Sequence, residues 1–580
     1  MKRQFFLLIL IVISFGLTAQ DLETPYEKSG FVECETYEEV MDLCQKFDKT
    51  FPEVTYQSFG KSGRKHDLPL LIVDKDGLST ATDIEKSGRT LLMVQASIHA
   101  GEPDGTTAGM MFVRDLLQKP DMKHLLKNVS IVYIPVFNVD GYLRRSAYNR
   151  INQEGPEEMG WRTSADNINL NRDFVRSETV EMKHWHEMFE QWMPDFFIDC
   201  HTTDGADYQY AITYDLPVYG NMNPDQTVWI RDKYLEPLKQ GMADDGFPMF
   251  RYVSFRNWHD HESGITAWVS SPDLAQGYTT VKNRPGFLVE THMLKSYKKR
   301  VEATYQALMK SMDILDRHGN ALQELNQAAD EHTASDNFRK QAYPLRWKAS
   351  DEYREIDFLG IEYTKKTSPI TGNTYFHYGE KPRTHKMMFY DDMQPVVMAD
   401  VPEVIIIPPE WEKVIERLDI HGINYHRLES DQSFEVRQYR LKDIEFADGP
   451  YEGAFRPTDF TLDTLHREHV FPAHSAYVPL DQKHAKLILH LFDPSAPGSV
   501  VKWGFFNAIF EQKEYAEIYM MEEMALQMMK DDPDMKKSFE AWLDTTPGAK
   551  ESQWQMMNWF YQQTNYWDER KDLYPVGFVF

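Results

Sequence analysis

Between residues 89 and 292 the chain alternates short, almost wholly apolar runs with stretches whose apolar residues recur every three or four positions. The runs are 89–98 (RTLLMVQASI), 129–137 (VSIVYIPVF), 193–200 (MPDFFIDC) and 285–290 (PGFLVE). Segments this short and apolar on both faces predict strands of a parallel or mixed sheet covered on both sides, with a helix over 105–118 as part of the cover. A helical pattern from 301 to about 340 closes the region, losing its apolar spacing in NQAADEHTASDN, and a boundary is placed at 340. Residues 343–480 read as short β-like runs such as 403–407 (EVIII), many prolines and a helix around 411–421. From 504 to 529 a helical spacing returns, with Tyr515, Ile518, Met521, Met524 and Met528 as a stripe that predicts packing surface, since flexible Met fills irregular gaps.

The first nineteen residues stand apart from this pattern. Lys2 and Arg3 precede an apolar run from Phe5 to Leu17, and Ala19 offers a cleavage site. The run is shorter than the ~20 residues needed to span a bilayer and fits a signal peptide. The expected organisation is therefore a signal peptide at 1–19, a catalytic domain at 20–340 and an accessory region at 341–580, β-rich and then helical. Nothing later is long and apolar enough to span a membrane, so the mature protein is expected to be exported, periplasmic or secreted. Removing Lys2 and Arg3 takes the formal charge from −27 to −29. So acidic a chain argues against nucleic acid and anionic membranes as partners. Its three cysteines rule out a disulfide scaffold; Cys34 and Cys44 remain a candidate pair, and Cys200 reads as a buried thiol.

The candidate chemistry lies where apolar runs give way to loops. His99-Ala-Gly-Glu102 follows the first, His201 the third, and Glu290 ends the fourth. In sheets of this kind ligands bind beyond the carboxyl ends of the strands. Pro103 biases Glu102 away from helical geometry and suits a first helical position, which places His99 and Glu102 in a strand-to-helix turn. Two imidazoles and a carboxylate leave a zinc ion an open position for water. Glu290, too costly to bury unpaired, is placed as the group that takes the proton of that water and returns it to a leaving amine. Two other clusters, 258–262 (WHDHE) and His184/His186 with Glu187 and Glu190, are read as solvated polar faces.

These residues, with Asn138-Val-Asp-Gly-Tyr142, Trp161-Arg162 and Asn169-Leu-Asn-Arg-Asp-Phe174 between them, resemble the zinc metallocarboxypeptidases, peptidase family M14, over about residues 35–310. The resemblance implies an α/β fold around a mixed, largely parallel eight-stranded sheet with helices on both faces. It implies one zinc per chain on His99, Glu102 and His201, Glu290 as general base and Arg162 stabilising the oxyanion. Asn171 and Arg172 would grip the free carboxylate of a peptide substrate, with Tyr278 a further substrate-binding candidate. Asn169 stands where many members of the family carry an aspartate that orients a ligand imidazole. Residues 343–580 resemble the accessory region of exported bacterial members. Two other readings compete with a carboxypeptidase: a zinc amidase or deacylase acting on cell-wall peptides or N-acyl amino acids, and a silent binding module.

Overall fold

The computed structural model describes residues 22–257 and 260–580, so the expected leader at 1–19 and the loop residues Trp258 and His259 lie outside the described residues. The chain forms two compact units. Residues up to Val401, with Glu416–Asn424 and Leu480–Ser499, make the first; Pro402–Ile415, Tyr425–Pro479 and Val500–Phe580 make the second.

The first unit is built on strands β1 (Val54–Lys61), β2 (Asp67–Val73), β3 (Thr90–Ala96), β4 (Val129–Ile134), β5 (Phe196–Thr203), β6 (Ile212–Asp215) and β7 (Met249–Arg251). The short β8 (Ile265–Thr266) belongs to another sheet, and β9 (Gly286–His292) completes the set. The order β1-β2-β4-β3-β5-β9-β6-β7 makes one eight-stranded sheet. Its centre, β4-β3-β5-β9, is parallel, whereas β1–β2, β2–β4 and β6–β9 pair antiparallel. Every residue of β3, β4 and β5 is buried, which is why these strands read as unbroken apolar runs. The helix Asp104–Gln118 presses close to the sheet. A Cβ on Gly105 would sit 2.3 Å from Cys200, and one on Gly109 would sit 2.3 Å from the Tyr133 ring. The closing helix spans Tyr297–Thr333, with a short helix at Asp336–Arg339.

The boundary expected at 340 does not coincide with the division into units. Strands β10 (Tyr343–Ala349), β11 (Arg354–Thr367), β12 (Thr374–Tyr390) and β13 (Met393–Ala399) fold with the first unit. β12 pairs with β8, and Gln209 N–H donates to Leu359 O at 2.8 Å, joining the β11–β12 ribbon to the segment after His201. These long-range pairings leave no trace in local composition.

The second unit carries a six-stranded sheet of β14 (Val404–Ile407), β15 (His426–Arg427), β16 (Gln432–Phe446), β17 (Pro457–Phe471), β18 (Ala476–Pro479) and β19 (Gly577–Val579). The order is β15-β18-β14-β19-β16-β17. The helix expected from 504 begins only at Ile518 and runs to Asp531, preceded by a loop with a single turn at Asn507–Phe510. Met521 and Ala525 pack against Phe560 and Tyr561, as the stripe predicts, while Tyr515 stays 64% exposed.

Candidate metal centre

The strand-to-helix turn after β3 is set by Ser97, whose φ of 54° bends the chain sharply. Asn138 N–H donates to Ser97 O at 3.1 Å, and the Ser97 and Thr106 hydroxyls meet at 2.7 Å. Glu102 N–H then donates to His99 O at 2.9 Å, which closes the loop and leaves His99 Nδ1 3.2 Å from Glu102 Oε1. His201 arrives from β5, and the parallel pairing of β5 with β9 sets it opposite Glu290. Its Nδ1 lies 3.2 Å from His99 Nδ1 and 3.1 Å from Glu102 Oε2.

One donor atom from each of His99, Glu102 and His201 lies within 4.8 Å of the other two, and all three side chains are buried. The outward ring nitrogens fix which atoms face this space. His99 Nε2 meets Asn169 Oδ1 at 3.0 Å, and His201 Nε2 meets Asp199 Oδ2 at 2.8 Å. An amide oxygen and a carboxylate only accept, so each Nε2 carries a hydrogen and each Nδ1 can turn a lone pair inward. Two imidazole nitrogens and a carboxylate oxygen sharing one buried space are the donor set zinc takes, with a fourth position left over. The amide of Asn169 thus fills the place expected for it.

Charge around the site is tightly arranged. Burial works against the Glu102 carboxylate, yet His99, Arg150 and His201 hold it well below its usual range. Arg150 Nη1 reaches Glu102 Oε1 at 2.8 Å, and Arg162 Nη1, on a side chain 42% exposed, lies 3.3 Å from the same oxygen. Burial brings His99 down to about 3. It would lower His201 too, but Asp199 and the Glu102 and Glu290 carboxylates outweigh it and hold that imidazole well above its ordinary value. Burial pushes the Glu290 carboxyl up, against the pull of His201. Its Oε2 is buried with no hydrogen-bond partner among the described residues. A carboxyl so placed is suited to exchanging a proton near neutrality.

Three contributors escape sequence reading. Asp199, two residues before His201 on the same strand face, also accepts Gln95 Nε2 at 3.0 Å, while Gln95 Oε1 accepts Trp185 Nε1 at 2.7 Å. A carboxylate inside an apolar strand was the signal available, since it must have a partner. Asp104 joins the site's elements from below. Its Oδ2 accepts Thr202 Oγ1 and Thr291 Oγ1, each at 2.7 Å, and Arg300 Nε at 2.9 Å. Thr202 and Thr291 directly follow His201 and Glu290, so one carboxylate oxygen ties both strands to the helix that starts after Glu102. Tyr252 meets Thr203 Oγ1 at 3.0 Å, and its phenol is pushed up to about 12 by burial and then by the nearby Glu290 carboxylate. Lone Arg and Tyr residues in loops carry no comparable signal.

The remaining expected residues divide. Asn171 N–H shares Asn169 Oδ1 with His99, at 3.0 Å, so the Asn171-Arg172 pair starts beside the His99 imidazole. Asn171 Oδ1 accepts Ala275 N–H at 3.0 Å, which leaves its amide NH₂ as the group to offer a ligand. Arg172 is half-buried, with Nη1 on Asn171 O at 2.7 Å. Tyr278 does not line a substrate site: its side chain is fully buried, its hydroxyl lies 2.8 Å from His421 Nδ1, and its ring packs on Phe174 and His186. A short buried helix, Ala275–Val281, carries it inward. His186 is not on a solvated face either. It is buried with Nε2 2.8 Å from Ser177 Oγ, and Glu190 pairs with Lys282. His261 is buried and stacked on Tyr363. Cys34, Cys44 and Cys200 are all buried free thiols, so Cys34 and Cys44 do not pair.

Residues 40–299, which carry His99, Glu102, Arg162, Asn171, Arg172, His201 and Glu290, match the family described as zinc carboxypeptidase, Peptidase M14. Residues 40–299 thus carry a zinc carboxypeptidase domain. The chain is similar to carboxypeptidase 2 of Trichophyton rubrum, 22% identical over 73% of this chain and 76% of the relative. It is also similar to carboxypeptidase 2 of Trichophyton tonsurans, 22% identical over 78% and 80% of the two chains. Among solved structures it aligns with carboxypeptidase A of Helicoverpa armigera at 16% identity and a TM-score of 0.37, over 50% of this chain and 74% of that one. A metallo-carboxypeptidase from Burkholderia cenocepacia aligns at 14% identity and a TM-score of 0.37, over 49% and 70%. With that domain the chain is a metal-dependent peptide hydrolase, and no described helix is long and apolar enough to cross a membrane.

Proposed function

We propose that His99, Glu102 and His201 hold one zinc ion per chain and that the enzyme removes C-terminal residues from peptides bearing a free carboxylate. The observation that carries this reading is the strand register that sets His201 beside Glu290, with the His99 and Glu102 donor atoms in the same buried space. When bound, zinc supplies a Lewis acid that polarises the scissile carbonyl and lowers the pKa of water. Asn169 and Asp199 keep the two imidazoles in the tautomer that ligates. Glu290 takes a proton from the attacking water at its carboxylate and passes it to the nitrogen of the leaving amine. Arg162, on the more open side of Glu102, donates to the oxygen on which negative charge develops. The Asn171 amide NH₂ and the Arg172 guanidinium bind the terminal carboxylate, and Arg172 presents the planar fork that suits it.

Export follows from the basic start, the Phe5–Leu17 run and Ala19. N-terminal sequencing of the protein from its host is expected to find Gln20 or a near neighbour, and an intact Met1 would reverse that reading.

The function is tested by incubating zinc-loaded protein with a mixed peptide library and reading the products by mass. Loss of single C-terminal residues from free peptides, with amidated peptides spared, is the expected result. Equal cleavage of blocked and free substrates would favour an amidase or deacylase. His201→Ala protein that still holds a full equivalent of zinc would refute the ligand set.

A further inference from the structure

The second unit contains none of the proposed catalytic groups, yet it holds a cavity of about 400 Å³. That size falls within the roughly 300–1,000 Å³ of sites that enclose small molecules. Pro408, Trp411, Ile509 and Leu573 give it apolar walls, and Gln438 and Arg467 bring polar groups into it. Trp411 is braced by the Phe506 ring, 4.5 Å away between centroids.

The lining carries four Lys or Arg and four acidic side chains, Glu410 and Glu569 among the latter, and they are unevenly paired. Lys513 pairs with Glu511, Arg570 with Asp568 and Lys571 with Asp572. Arg467 instead donates its Nε to the neutral amide oxygen of Gln438 at 2.8 Å. Gln438 is 1% exposed, and its own NH₂ reaches the Tyr574 and Pro575 carbonyls at 3.4 Å, which fixes the amide. The guanidinium is thereby held in one plane, and its terminal nitrogens have no carboxylate partner among the described residues. A planar cation held this way matches a carboxylate through two parallel N–H···O bonds.

We propose that this cavity is a second, non-catalytic site for a molecule with a free carboxylate and a flat or branched apolar group, one or two amino-acid residues in size. Arg467 takes the carboxylate, and the walls around Trp411 take the apolar group. The site does not depend on the catalytic reading. A free amino acid and the end of a polypeptide share this chemistry, and the experiment separates them.

Equilibrium dialysis of the full-length Glu290→Gln protein, which the proposed mechanism leaves unable to cleave, with N-acetyl-phenylalanine, its amide, phenylalanine and N-acetyl-Ala-Phe supplies the test. One acid-selective equivalent per chain beyond any taken by the catalytic site is expected, about tenfold or more weaker for the amide and on adding Arg467→Met, as loss of a charge-assisted pair implies. Ala508→Trp, which fills the cavity, should abolish that equivalent, and Arg467→Lys should restore part of it. In otherwise wild-type protein, Ala508→Trp and Arg467→Lys should keep the wild-type melting temperature, Arg467→Met should melt somewhat lower because Gln438 Oε1 loses its donor, and all three should cleave a short peptide at the wild-type rate. Tighter binding of phenylalanine would identify a free amino acid as occupant, and tighter binding of N-acetyl-Ala-Phe a chain end. Unchanged stoichiometry and affinity in Arg467→Met and Ala508→Trp, or an amide bound as well as the acid, would overturn the proposal.

Discussion

The two sheets of this protein use their strands in opposite ways. In the first unit β3, β4 and β5 are buried along their whole length, and the site hangs from their ends. In the second unit β16 and β17 form a long ribbon in which exposed and half-buried residues dominate. The buried sheet fixes register through packing on both faces, and a slip of one residue would turn His201 or Glu290 away from its partners. The ribbon is specified more weakly, by backbone pairing and a few cross-strand contacts. Sensitivity to substitution should therefore be concentrated in the first sheet, and four substitutions or conditions can break or sharpen that contrast.

The largest effect is expected at Glu290. Glu290→Gln keeps the shape and removes the proton acceptor, so turnover should fall by about 10²–10⁴-fold while bound zinc and the melting temperature stay near wild type. The matched control in the ribbon, Val470→Lys on an exposed position, should leave turnover unchanged. Comparable losses in both variants, measured as kcat on one free peptide, would contradict the contrast.

Next is the carboxylate that ties the strands together. Asp104→Asn leaves Arg300, fully buried, without its charged partner, and breaking such a pair typically costs about 3–5 kcal/mol. Melting temperature and zinc affinity should drop together, because Asp104 also holds Thr202 and Thr291. In the ribbon, Asp463→Asn removes the exposed ion pair with Lys442 and should not shift the melting temperature measurably. If Asp104→Asn melts like wild type, the clamp is not structural.

What the sequence disclosed follows the same division. The four apolar runs predict β3, β4, β5 and β9 within a few residues, because strands buried on both faces cannot hide their composition. The turn from His99 to Pro103 was legible for a similar reason, as proline restricts both its neighbour and itself. β11, β12, β16 and β17 were not legible at their true lengths, up to 17 residues, because their faces are too polar and exposed to alternate. The strands beyond 340 joined the first unit through pairings with β8 and Gln209 that no local window contains. Asp104 and Arg150 act through partners roughly 50 to 200 residues away, which a single sequence does not pair. Asp199 differs, since its partner His201 is two residues along the same strand.

Acid should separate the two units. In the first, burial lowers the imidazoles of His421 and His490 to about 3 and of His292 to about 4. The unfolded chain, with histidines near 6.5, then binds more protons than the folded one across that interval. Stability is fully present above about pH 6.5 and is lost as the pH falls towards 3. In the second unit burial lowers the imidazole of the partly buried His469. Hydrogen exchange at pH 5 against pH 7.5 should show protection lost mainly in the first unit, and equal losses in both would remove this source of acid sensitivity.

The smallest expected effect concerns Tyr278, a substrate-binding candidate that lies closer to Glu290 along the chain than the family pattern expects. His421 Nε2 lies 3.0 Å from Val175 O, and a carbonyl only accepts, so that nitrogen carries the hydrogen. His421 Nδ1 must then accept, and the Tyr278 hydroxyl donates to it at 2.8 Å. Tyr278→Phe deletes the donor and leaves a buried ring nitrogen unsatisfied, at a cost of about 1–3 kcal/mol. The loss belongs to the fold, because the phenol has no surface through which to meet a ligand. Chemical denaturation should therefore show a lower midpoint with an unchanged slope, while kcat and KM for a free peptide at 25 °C stay at wild-type values. A fall in kcat without a fall in stability would return Tyr278 to the reaction, and would mean that the Ala275–Val281 helix rearranges when substrate binds.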